Sequence, residues 1–152
     1  MNNPAMSPGA NLKLEDVLVH RPPMLLLDSI VSFTESSLRA SVIPSPDSSF
    51  YQSSVGIPTW IGMEYMAQAI AALAGIRAVE IGAPLPYGLL IGCRRYVTEV
   101  SHFEAEQELI VDVVENFVDA EGVSAFDCEI HANVILVKGR LTVFANPEKR
   151  FD

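Results

Sequence analysis

Cysteine is scarce in this 152-residue chain: only Cys93 and Cys128 occur, far apart in sequence. Two isolated thiols build neither a disulfide framework nor a zinc site. No metal is expected, and a reduced, cytoplasmic setting fits. Basic residues are few, with ten Lys and Arg against nineteen Asp and Glu and a formal charge of -9. They form no basic run, which argues against nucleic acid as a partner. No stretch of about eighteen uncharged apolar residues occurs, so no transmembrane span is expected. The opening residues, MNNPAMSPGAN, lack the charged and apolar regions of a signal peptide. They read as a flexible polar tail over 1–11, with a single domain over 12–152.

What is abundant is apolar. Hydrophobic residues make up 49% of the chain, and mean hydropathy is +0.27. That is high for a small domain, so some apolar surface is expected to be buried against another subunit. The densest stretch runs from Pro58 to Gly75 and holds one carboxylate, Glu64. A helix apolar all round belongs inside the fold. A carboxylate there is costly unless something stabilises it. Glu64 is therefore either a hydrogen-bonded structural group or the centre of a site. Gln68 stands one helical turn on, on the same face.

Along the chain, Leu12 to Leu18 makes one or two helical turns. Met24 to Phe33 and Ser37 to Ile43 read as strands around a turn at Thr34-Glu35-Ser36. Pro44 to Gly56 is a loop rich in Ser and Pro. The long helix starts near Pro58-Thr59 and runs to about Glu80, stopped by Gly82, Pro84 and Pro86. Tyr87–Val97, Glu108–Asp119, Val123–His131 and Val134–Ala145 read as strands, with hairpin turns at Asp119–Gly122 and Ala132-Asn133. Leu109, Val111, Val113 and Phe117 alternate with polar partners, as in a sheet with one face inward. The class is α+β: an antiparallel sheet wrapped around one long buried helix. Small residues on that helix let a curved sheet approach closely.

Three segments carry a family likeness. Arg21-Pro-Pro-Met-Leu-Leu-Leu-Asp28, preceded by His20, resembles the early PHRYPFLLVD segment of 3-hydroxyacyl-acyl-carrier-protein dehydratases. Pro58 with Glu64-Tyr-Met-Ala-Gln68 resembles their PGVLIxEAMAQ helix start, and Leu90–Tyr96 looks like the strand that follows. The pattern is most similar to the dehydratase-like component of aryl polyene biosynthesis. The resemblance implies a hotdog fold, a homodimer or heterodimer with a second hotdog subunit, and acyl thioesters held on the phosphopantetheine arm of an acyl carrier protein. It implies no cofactor. The chain departs from the family at one place. Phe50 stands where those dehydratases carry a histidine, and no histidine occurs between His20 and His102.

Dehydration needs a base for the C2 proton and an acid for the leaving hydroxyl. Glu64 is the candidate acid, oriented by Gln68. His20 is the candidate base if the fold brings it to Glu64; the structural alternative is a histidine that fixes its own loop. His102 is expected in a solvated turn and His131 at a strand end. Trp60 and Tyr65 flank Glu64 as pocket-lining candidates, with core packing the alternative. Arg94 and Arg95 are candidates for a pantetheine phosphate. As neighbours on a strand they are expected to point to opposite faces. Three functions stay open: a carrier-protein dehydratase, an acyl thioesterase on the same fold, and a non-catalytic partner of another hotdog subunit.

Overall fold

The structure, a computed structural model, describes residues 7–8 and 12–145. Its elements are β1 (Ser7–Pro8), α1 (Leu14–Val17), β2 (Ser29–Phe33), β3 (Ser37–Val42), β4 (Ile57–Pro58), α2 (Gly62–Glu80), β5 (Leu89–Thr98), β6 (His102–Phe103), β7 (Leu109–Val118), β8 (Val123–His131) and β9 (Ile135–Phe144). Seven strands form one sheet in the order β1-β2-β3-β7-β8-β9-β5, and β4 pairs with β6. All of these pairings are antiparallel. Among the described residues no helix is long and apolar enough to cross a membrane.

Strand alternation explains how the sheet closes on α2. Leu109, Val111 and Val113 of β7 point inward, as do Phe126, Cys128 and Ile130 of β8, and all are buried. Met66, Ala69, Ala72, Leu73 and Ile76 of α2 meet them. A single turn of 3-10 helix, Thr59–Ile61, precedes α2, so the apolar stretch begins one turn tighter than expected. Gly82 beyond its C-terminal end takes the left-handed conformation (φ +67) that ends many helices. Burial pushes the Cys128 thiol up to about 12, so it stays protonated in the core.

Three expectations change. Only Ser29–Phe33 of the segment beginning at Met24 joins the sheet. The backbone of Met24 and Leu26 bonds the side chain of Gln68 instead of a neighbouring strand. Within the supposed loose tail, Ser7 and Pro8 pair with Phe33 and Ser32 along the outer side of β2. The rest of 1–11 lies outside the described residues. His102, expected in a solvated turn, stands in β6 and bonds Gln52 and Ser101; His131 ends β8, as expected, and bonds Asp112 at 2.8 Å.

Asp112 also accepts from Arg39 at 2.7 and 3.0 Å. Burial alone would push its carboxyl up, but the hydrogen bonds and charges of Arg39 and His131 together hold it below the ordinary 3.8. The stability this contributes is present above the unfolded aspartate range and is lost as the pH falls below it. Asp112→Asn is expected to remove this component. In acid unfolding followed by circular dichroism, the variant should lose less stability than wild type below about pH 4.

Gly75 sits in mid-helix because α1 lies on it. A Cβ there would overlap the Val17 carbonyl and stand 2.7 Å from its carbon. Gly75→Ala gains about 1 kcal/mol of helix propensity. It also forces backbone against backbone, at about 1–3 kcal/mol or more. A net loss in urea denaturation is expected, and a stabilised variant would show that α1 does not need this close approach.

Candidate active site

α2 presents Glu64 and Gln68 one turn apart, with Gln68 fully buried. The Gln68 amide is committed on both sides. Its Oε1 accepts from Leu26 N–H at 2.9 Å, which forces Nε2 the other way. Nε2 donates to the Met24 carbonyl at 2.7 Å and to Glu64 Oε1 at 2.9 Å. Glu64 Oε1 is thus an acceptor, and any proton on this carboxyl sits on Oε2. Glu64 is not sealed in the core as its apolar surroundings suggested. Its side chain is 38% exposed and borders a cleft.

The fold brings His20 to it. Close packing of α1 on Gly75 lays the following residues along α2. Arg21 locks the turn by donating to the carbonyls of Leu18 (2.7 Å), His20 (2.8 Å) and Glu15 (3.1 Å). His20 Nε2 then lies 3.8 Å from Glu64 Oε1. Its Nδ1 is buried and makes no hydrogen bond among the described residues. A histidine that served only to fix its own loop would spend a ring nitrogen on that loop. Here the loop is fixed by Arg21, and Nε2 is turned to Glu64 instead.

The pair stands at the head of a cleft of about 550 Å³. Its floor is a row of small side chains on one face of α2: Ala67, Ala71, Ala74 and Ala78. At 1.5 Å per residue, the row carries the cleft roughly 20 Å from Glu64. Tyr87, Leu89 and Leu90 form part of a wall, and the ion pair of Arg77 with Glu115 (3.1 Å) is among the lining at the far end. An acid–base pair opening onto a long apolar slot suits proton transfer on a chain-like substrate.

The other candidates lie elsewhere. Tyr65 is core, its ring 5.7 Å from that of Phe103, and burial pushes its hydroxyl well above the ordinary range. Trp60 is 61% exposed, neither in the core nor in the cleft, and Tyr65 does not line the cleft either. Phe50 packs against the core. Arg94 and Arg95 line a separate depression on the outer face of the sheet, together with Lys138 and Arg140. They do not point to opposite faces, because a register shift between Arg94 and Val97 breaks the alternation and Arg95 is left-handed (φ 58).

Sequence reasoning missed Arg21 and Tyr96 as supports. Tyr96 lies on β5, and its half-buried side chain donates its hydroxyl to the Thr59 carbonyl just before α2, beside Gly62. The cleft floor did have a signal: small residues at 67, 71, 74 and 78, each three or four apart on the face that carries Glu64.

A family profile described as ApeP dehydratase matches residues 12–151. The chain belongs to the ApeP-like family. Among solved structures it is similar to the dehydratase heterocomplex ApeI:P from Xenorhabdus doucetiae. That match has 27% identity and a TM-score of 0.83, covering 89% of this chain and 91% of that one. It also resembles the E. coli PaaI protein of the phenylacetic acid degradation operon, with 12% identity, TM-score 0.60 and coverage of 76% and 80%. A hypothetical thioesterase with coenzyme A from Streptococcus pneumoniae gives 9%, 0.60, and 77% and 84%. These two more distant likenesses show the fold alone, which is the hotdog fold. No curated protein matches the chain.

Gln68→Leu is expected to leave the Leu26 N–H and Met24 carbonyl unpaired and to release Glu64. The cost should be about 2–4 kcal/mol in chemical denaturation. A change under about 0.5 kcal/mol would show that these bonds do not hold the segment.

Proposed function

We propose that this ApeP-like protein dehydrates 3-hydroxyacyl thioesters, with His20 as base and Glu64 as acid. The placement of His20 Nε2 3.8 Å from Glu64 Oε1 at the mouth of an apolar cleft carries this reading. His20 removes the C2 proton, and Glu64 Oε2 protonates the C3 hydroxyl, which leaves as water. The C2–C3 double bond forms as the C2–H and C3–O bonds break. Elimination needs two proton-handling groups near one bond. Hydrolysis of the thioester would need only one, so the pair favours the dehydratase over the thioesterase. It also answers the phenylalanine at position 50: the base comes from the segment after α1 instead.

Gln68 keeps Glu64 in place and fixes which oxygen carries the proton. The cleft floor of alanines accepts an extended chain without polar cost. The acyl group is proposed to arrive as an acyl-carrier-protein thioester, with the pantetheine arm entering beside His20. A second hotdog subunit is proposed to cover β5. Leu89, Leu90, Ile91 and Val97 of that strand are exposed, and the similar Xenorhabdus chain belongs to a heterocomplex. Because Leu89 and Leu90 also wall the cleft, such a partner would close it. The free thiols Cys93 and Cys128 support a reducing cytoplasm as its location.

Glu64→Gln and His20→Ala should each fold normally. Each should lower the rate of enoyl thioester formation about a hundredfold or more, with carrier-protein substrate and with the partner subunit present. The double variant should be little worse than either single one, because the two groups act in one step. Activity above a tenth of wild type in either variant would remove that residue from the chemistry.

A further inference from the structure

β5 is the last strand of the sheet, and among the described residues nothing pairs with its outer side. Its exposed apolar residues make it an edge that attracts another strand. The charges on this edge are one-sided. β5 reads LLIGCRRYVT, with two arginines at its centre and no acid.

The neighbouring strands do not balance them. Across the sheet, Asp127 of β8 lies opposite Arg140 of β9, and Arg140 lies opposite Arg94 of β5. Asp127 accepts from Arg140 at 3.0 Å and from Asn116 at 2.6 Å, so the one carboxylate in that row is occupied. Arg94 is left beside a like charge. The register shift and the left-handed turn at Arg95 bring the second arginine to the same depression. Four cations meet two carboxylates there, on a chain whose formal charge is -9. Both arginines are exposed, and neither makes an ion pair or hydrogen bond among the described residues. A row that runs carboxylate, arginine, arginine towards an open edge lacks a carboxylate on the next strand.

We propose that Arg94 and Arg95 select the partner: they oppose edge-to-edge pairing of two copies of this chain and favour a second hotdog subunit whose facing strand carries carboxylates. This rests on the reading that a hotdog subunit covers β5, and it adds what decides which one. The midpoint of β5 falls at Cys93–Arg94. Two copies joined antiparallel about a two-fold axis there would crowd four arginines within a few residues of the seam. Like charges opposite one another in a sheet are destabilising, and across an interface such repulsion excludes wrong partners. The apolar residues supply adhesion to any strand; the arginines decide which strand gains from it.

The test needs only this chain. A neutral variant, Arg94→Gln with Arg95→Asn, and a reversed variant, Arg94→Glu with Arg95→Asp, keep residue types that tolerate the left-handed turn. Self-association is measured by analytical ultracentrifugation at low and high salt, and β5 amide exchange is read in each pair. The neutral variant should self-associate at least about tenfold more tightly than wild type at low salt. High salt should narrow that gap. An equal mixture of wild type and reversed variant should form mixed pairs in about tenfold or greater preference to like pairs, with β5 amides protected. Protected β5 amides with affinities indifferent to charge and salt would overturn the arginine proposal and leave the β5 interface standing. Pairs that leave β5 amides unprotected, or a charge-swapped mixture that forms no pairs, would overturn both.

Discussion

One buried amide holds the working parts of this protein together. Gln68 receives the Leu26 N–H, holds the Met24 carbonyl and steadies Glu64, all from a position with no solvent exposure. Because each of its polar atoms has a fixed partner, the amide has one orientation. A buried polar network with every member satisfied specifies geometry in a way apolar packing does not. The segment after the Pro22-Pro23 pair would otherwise be free to extend β2. Tied to the helix, it runs across α2 and leaves the carboxylate facing the cleft.

Around that amide, the fold consists of close approaches permitted by small residues. Gly75 lets α1 press its backbone against α2, and the chain emerging from α1 carries His20 to Glu64. Arg21 spends its guanidinium on backbone carbonyls rather than on a carboxylate, so the turn holding His20 is fixed without neutralising Glu64. Further along the helix, alanines in place of larger side chains leave room for the cleft. Along α2, Met66, Leu73 and Ile76 help build the core, and Ala67, Ala71 and Ala74 leave space for the cleft.

The sheet and the long helix were legible because both depend on local period. The alternation over Leu109 to Val113 and the density of small apolar residues after Pro58 need no knowledge of distant contacts. Glu64 and Gln68 were legible for the same reason, being one turn apart. The approach of His20 was not, since it depends on α1 meeting Gly75 from far along the sequence. Neither reading of Trp60, pocket or core, held, because it lies in the 3-10 turn before α2 and is exposed there. Arg94 and Arg95 broke a strand rule through a bulge that leaves no mark in the residue types.

Tyr96 gives the architecture a mechanical property. It belongs to the open edge strand, yet its hydroxyl grips the Thr59 carbonyl one turn before the helix that carries Glu64, and its ring packs against Gly139. Tyr96 therefore ties the open edge to the root of α2 through a single side chain. Linkage makes such a connection symmetrical: if occupancy of the edge tightens the grip on a substrate, the substrate tightens the grip on the edge by the same factor. One side chain thus joins the open edge of the sheet to the helix that borders the cleft.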